Sequence, residues 1–202
     1  MKKLLMLMFV FLFSISFISC KEKNKEKEEL NKIKPVWIEL GLQTIHDKTA
    51  KFIRRGYKLS VFDEAVENLN KRGIKVIVHI IIGLPSETKK MIFETIDYLS
   101  TKNIFGIKLQ LLHVIKNTDM ALIWENHIFE TLTLEEYADI LIGCIERLPK
   151  NIVIHRITGD SPPQLLLSPE WSRYKWTVLN FIHSEMKKRN SYQGKFFDNI
   201  SK

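Results

Sequence analysis

The 202-residue chain has two cysteines, eight glycines and six prolines. Cys20 and Cys144 alone exclude a disulfide framework and any cysteine-rich metal centre built from this chain by itself. The small share of Gly and Pro, beside 45% hydrophobic, 27% charged and 10% aromatic residues, excludes collagen-like and wholly disordered chains. There is no phosphate loop, Gly-rich dinucleotide turn, HExxH or nucleophile elbow. A long run of one charge sign is also missing. The formal charge is +8, but Lys2, Lys3 and the run KEKNKEKEELNKIK at 21–34 carry half of it, leaving Pro35 to Lys202 at +4. So small an excess does not support a nucleic-acid surface.

What is present begins with a leader-like start. Lys2 and Lys3 precede Leu4 to Ile18, a 15-residue apolar stretch broken only by Ser14 and Ser16. It is short for a membrane span and fits a secretory hydrophobic region. Residues 1–19 followed by Cys20 resemble a bacterial lipoprotein signal, with Cys20 as the lipidation site. On that reading the chain is lipid-anchored on the extracytoplasmic side of a membrane. An uncleaved anchor or a misassigned start are the alternatives. Residues 20–35 read as a charged tether with too little apolar surface to pack.

From Pro35 the chain alternates strand and helix. Val36 to Leu40 reads as a strand ended by Gly41, and Asp47 as the cap of a short helix to about Ile53. Phe62, Ala65, Val66 and Leu69 recur at helical spacing. Lys75 to Ile82 (KVIVHIII) is nearly all apolar and β-branched, as expected of a strand covered on both faces of a parallel sheet. Ser86 reads as the cap of a helix from Glu87 to Lys102. Gly106 to Leu112 is a third strand, Thr133 caps a helix to Leu148, Asn151 to His155 is a fourth strand, and Trp176 to Arg189 a closing helix. The class is α/β, mainly parallel, with about four βα units. The first strand leaves a sheet edge open to a partner chain or a missing half of the sheet.

In such sheets ligands sit at the carboxyl ends of strands. That rule selects Gln43 and Thr44; His79 with Gly83-Leu84-Pro85; Gln110 and His113; and His155 and Arg156 with Thr158-Gly159-Asp160. His79 interrupts an apolar strand, as a satisfied core residue or a site residue. Glu39 is an edge carboxylate or a site residue. Cys144, among Ile140, Leu141 and Ile145, reads as core. Trp171, Tyr174 and Trp176 read as packing for the last helix.

Trp37-Ile38-Glu39-Leu40-Gly41-Leu42-Gln43-Thr44, then Arg54-Arg55-Gly56, then His79 to Gly83-Leu84-Pro85-Ser86-Glu87-Thr88, resemble radical S-adenosylmethionine (SAM) enzymes. Gly106-Ile107-Lys108-Leu109, Leu112-His113-Val114, His155-Arg156-Ile157-Thr158-Gly159-Asp160, Trp171 with Lys175-Trp176, and Tyr192-Gln193-Gly194 extend the resemblance. It is nearest to a bacterial group related to the Elongator catalytic subunit and oxygen-independent coproporphyrinogen dehydrogenase. The resemblance implies a partial (β/α) barrel at 36–160 lacking its N-terminal strands, with a helical extension at 161–202. It further implies SAM held on a [4Fe–4S] cluster and cleaved reductively to start radical chemistry. Gln43, Arg55 and His79 fall where the family contacts SAM, and His113, His155, Arg156 and Asp160 on the substrate side.

This chain departs from the family pattern in three places, with Tyr57 and Gln110 where His is common and Ser86 where Gly is. The family also carries a three-cysteine cluster motif, and two cysteines cannot supply three thiolates. The chain alone is therefore not expected to bind the cluster or to be catalytically competent. Three readings follow: part of a radical SAM protein without its cluster region, cytoplasmic like the family; a lipid-anchored non-catalytic module for a ligand or protein; or one half of a split enzyme completed at the open edge.

Overall fold

A computed structural model describes residue 29 and residues 31–197. The strands are β1 (Trp37–Gln43), β2 (Lys75–Ile82), β3 (Gly106–Leu111), β4 (Val114–Ile115), β5 (Val153–Arg156) and β6 (Leu166–Ser168). The helices are α1 (Asp47–Phe52), α2 (Leu59–Asn70), α3 (Lys89–Ser100), α4 (Asp119–Glu125), α5 (Leu134–Arg147) and α6 (Lys175–Lys188), with a 3-10 turn at Glu170–Arg173. Four strands pair in the order β1-β2-β3-β5, all parallel. The α/β, mainly parallel architecture is as the sequence implied, and the described strands do not close into a barrel. β4 and β6 form a separate antiparallel pair beside it.

Strand side chains alternate between faces, and that alternation sorts the sheet chemically. Val76, Val78, Ile80 and Ile82 of β2, at most 1% exposed, join Ile107 and Leu109 of β3 in one core. Phe62, Val66 and Leu69 of α2, Ile92, Ile96 and Leu99 of α3, and Leu141, Cys144 and Ile145 of α5 cover that face. Each fully buried Ile or Leu contributes roughly 1.5–3 kcal/mol. The opposite parity places Glu39, Gly41, His79, Lys108 and Gln110 on the second face. Tyr137 of α5, wholly buried, donates from its hydroxyl to the Ile157 carbonyl at 2.7 Å and ties the end of β5 to the core.

Several element boundaries differ from expectation for local reasons. β1 runs through Gly41 to Gln43. Gly41 is no terminator: a Cβ there would collide with the Gln43 side-chain amide, which folds back over it. The α3 cap is Thr88, whose hydroxyl accepts from Met91 N, while Ser86 takes a left-handed φ of 66°. Thr133 caps α5 as expected, and Glu136 completes a reciprocal capping box. Trp171 packs on Tyr137 at 5.7 Å between ring centroids. Tyr174 and Trp176, expected to pack too, are 64% and 80% exposed.

Candidate functional site

Three strands meet at one carboxylate. Glu39 of β1 accepts from His79 Nε2 of β2 at 2.7 Å and from Lys108 Nζ of β3 at 2.6 and 2.7 Å. The strand registers pair Glu39 with Ile77, His79 with Lys108, and Lys108 with Arg156, so the group runs diagonally over the second face. Partial burial alone would raise the Glu39 carboxyl, but Lys108 and His79 outweigh it and hold its pKa below the ordinary value. Burial lowers the His79 pKa, against the pull of Glu39 and reinforced by repulsion from Lys108 and Arg156. The cluster is therefore an ionised carboxylate held by a cation and a neutral imidazole.

The β1 rim is built around Gln43, whose φ is 60°. Arg55 is 6% exposed, and its Nη1 donates to the carbonyls of Leu42 at 3.1 Å and Thr44 at 2.6 Å, on either side of Gln43. Arg55 Nε donates to the Tyr57 carbonyl at 3.1 Å, and the Tyr57 hydroxyl donates to the Gly41 carbonyl. Of the three Arg55 guanidinium nitrogens, Nη2 is buried without a hydrogen-bond partner. Thr44 Oγ1 reaches Glu87 Oε1 at 2.5 Å, joining this rim to the Gly-Leu-Pro turn after β2. The structure thus brings Gln43, Arg55 and His79 into one neighbourhood, because Gln43 lies over Gly41 and Gly41 pairs with His79.

The other candidates divide. Arg156 Nη2 and Lys175 Nζ approach the Asp160 carboxylate at 3.8 and 3.6 Å. His113 packs against Gly159, where a Cβ would meet its Cε1 at 2.5 Å and its Nε2 at 2.8 Å. Burial lowers the His113 pKa, with Asp160 opposing, and His113 Nε2 has no hydrogen-bond partner. His155 does not join this group. Its ring lies between Trp37 and Phe105, with centroids at 6.3 and 5.9 Å, and against Gly106. Those neighbours place it toward the amino ends of the strands, away from the carboxyl rim where the sequence suggested it. Lys108 and Lys175 stand in the sequence within family-like motifs but not among the candidate site residues. A further signal is that Lys108, like His79, interrupts an apolar strand.

Cys144 is wholly buried in α5, and desolvation pushes its thiol pKa up, as an inert core residue requires. Cys20 lies outside the described residues. Among the described residues no group of three or more His, Cys, Asp or Glu is placed to hold a metal ion. No helix among them is long and apolar enough to cross a membrane.

The radical SAM superfamily model matches residues 6–99, and the radical SAM C-terminal domain model matches residues 104–188. The chain belongs to the radical SAM superfamily. The first match takes in residues 6–20, the same stretch that reads as a leader. The chain is 42% identical over 172 residues to the uncharacterized protein YtqA of Bacillus subtilis, covering 85% of this chain and 53% of YtqA. It is 26% identical over 151 residues to the tRNA uridine(34) acetyltransferase of Methanocaldococcus jannaschii, covering 70% of this chain and 27% of that protein. A solved structure of Methanocaldococcus infernus Elp3 with an N-terminal deletion superposes with a TM-score of 0.69 at 20% identity, covering 84% of this chain and 40% of that one. This radical SAM chain thus spans about half the length of YtqA, or less of the other two, and shares its fold with Elp3.

The residues present fit the superfamily's two cofactors unequally. Three thiolates are needed for the cluster, and neither the two cysteines of the sequence nor the buried Cys144 fits that need. A polar nucleoside-type ligand such as SAM fits better. It would find an ionised carboxylate at Glu39, an amide at Gln43 and an unpartnered guanidinium nitrogen at Arg55.

Proposed function

We propose that this chain contributes the SAM-facing and substrate-facing part of a radical SAM (β/α) barrel, and that the cluster thiolates come from outside it. The observation that carries this reading is the Glu39–His79–Lys108 group on the second face of the sheet, beside Gln43. A fixed carboxylate next to a side-chain amide recognises ligand hydroxyl and ammonium groups, and Lys108 keeps that carboxylate ionised while partly shielded from water. Arg55 holds the strand end that presents Gln43. SAM, bound where a cluster is available, supplies the radical chemistry of the superfamily. β1 is the edge of the four-stranded sheet among the described residues, and its free backbone edge is where a cluster-bearing partner would pair.

Equilibrium dialysis of the chain with SAM tests this. Saturable binding is expected, weakened at least about tenfold by E39Q and by H79A while the circular dichroism spectrum stays unchanged. Absence of binding, or binding indifferent to both substitutions, would overturn the reading. A second reading rests on Leu4 to Cys20: a lipid-anchored, non-catalytic binding module outside the cytoplasm. Intact-mass analysis of protein from its native cell decides between them, because diacylated Cys20 at the N-terminus belongs to the second alone.

A further inference from the structure

We propose that Arg156, Lys175 and His113 form a subsite for an oxyanionic group of the ligand, a carboxylate or a phosphate, and that Asp160 occupies this subsite when the ligand is away. The inference deepens the function proposed above by giving a chemical class to the substrate side. Both cations are measured to the same oxygen, Asp160 Oδ2, at 3.8 Å for Arg156 and 3.6 Å for Lys175. Their nitrogens are therefore at most about 7.4 Å apart. Neither contact is a direct hydrogen bond, since charge-assisted N–H···O bonds run to about 2.9 Å. Two cations thus share one carboxylate that fully engages neither. An incoming oxyanion can offer one oxygen to each cation at about 2.8 Å, a direct contact that Asp160 makes with neither.

The surroundings point the same way. The Asp160 side chain is 61% exposed and belongs to neither a helix nor a strand, so displacing it disturbs no backbone ladder. The side chains of Arg156 and Lys175 are 37% and 51% exposed, reachable from solvent but partly shielded. His113 Nε2 is buried without a hydrogen-bond partner against Gly159, one residue from Asp160. As a neutral ring it can place a proton on that nitrogen and donate to an anion. Arg156 also neighbours Lys108 in register, so the subsite adjoins the Glu39–His79–Lys108 group.

The test is calorimetric titration of the full chain with inorganic phosphate and, separately, with acetate, at constant ionic strength and without SAM. Omitting SAM keeps the result independent of whether Glu39 and His79 bind that cofactor. Weak saturable binding of at least one anion is expected, and the tighter one names the group. D160N, which removes the competing carboxylate, should tighten binding about tenfold, and R156Q and K175Q should each weaken it about tenfold. These positions are exposed enough for the variants to fold, and thermal melts check that they do. Unchanged or weaker binding in D160N, no effect of R156Q, or no saturable binding even in D160N would overturn the proposal.

Discussion

Replacing Arg55 separates a structural role from a ligand-binding one. In the folded chain its guanidinium satisfies three carbonyls, Leu42, Thr44 and Tyr57, and lies 4.9 Å from the Tyr57 ring centroid. Truncation to alanine leaves the Thr44 carbonyl without this donor in a site with little access to water, at about 1–3 kcal/mol, and removes the bonds to Tyr57 and to Leu42, whose carbonyl keeps the Thr44 N–H, at about 0.5–1.5 kcal/mol each. It also releases the left-handed backbone at Gln43 from its clamp. Allowing for relaxation, R55A should cost about 3–5 kcal/mol. A chain of this size loses about 2–4 °C per kcal/mol, so the melting midpoint should fall by about 6–20 °C. R55K keeps the charge, but an ammonium cannot span three carbonyls as a planar fork does. It should fall between R55A and the wild type. Urea denaturation with an unchanged slope would confirm a stability effect. If R55A melts within about 2 °C of the wild type while losing ligand affinity, the carbonyl clamp is not what Arg55 does.

Other consequences can be read from single residues. Ser86 sits at a φ of 66°, so S86G should stabilise by about 0.5–1 kcal/mol, seen as a higher urea midpoint; a lower midpoint would refute strain at this position. Burial holds the His79 and His113 pKa values below that of an unfolded histidine. Between the folded and unfolded values the unfolded chain binds more protons, so stability is present above about pH 6.5 and is lost as pH falls below it. Urea midpoints at pH 7.5 and 5.5 check this, and the loss should shrink in H113Q. K108M removes a repelling cation and frees Glu39 for the imidazole, so the His79 pKa should rise; an NMR titration showing no rise would deny the coupling.

Much of the scaffold was legible because it is written locally. KVIVHIII marks β2 from Lys75 to Ile82, and the Thr133–Glu136 spacing marks the start of α5. Gly41 misled because glycine ends strands as well as admitting close packing, and only the folded Gln43 side chain shows which applies. The β4–β6 pair was missed because two- and three-residue strands have no period, and Val114 finds Ser168 only through the fold. At the site, His79 was conspicuous as a polar break in an apolar strand. Lys108 was not, since its meaning depends on Glu39, 69 residues earlier. His155 was misplaced because rank along a strand gives the end but not the neighbours, here Trp37 and Phe105.

On the function proposed above, this chain carries the ligand-facing part of a radical SAM barrel but not the cluster. Anaerobic reconstitution of the full chain with iron and sulfide, followed by iron quantification, Mössbauer spectroscopy and assay for 5′-deoxyadenosine after reduction with SAM present, tests it directly. No stoichiometric [4Fe–4S] cluster and no 5′-deoxyadenosine are expected from the chain alone. One cluster per chain together with 5′-deoxyadenosine formation would contradict that function.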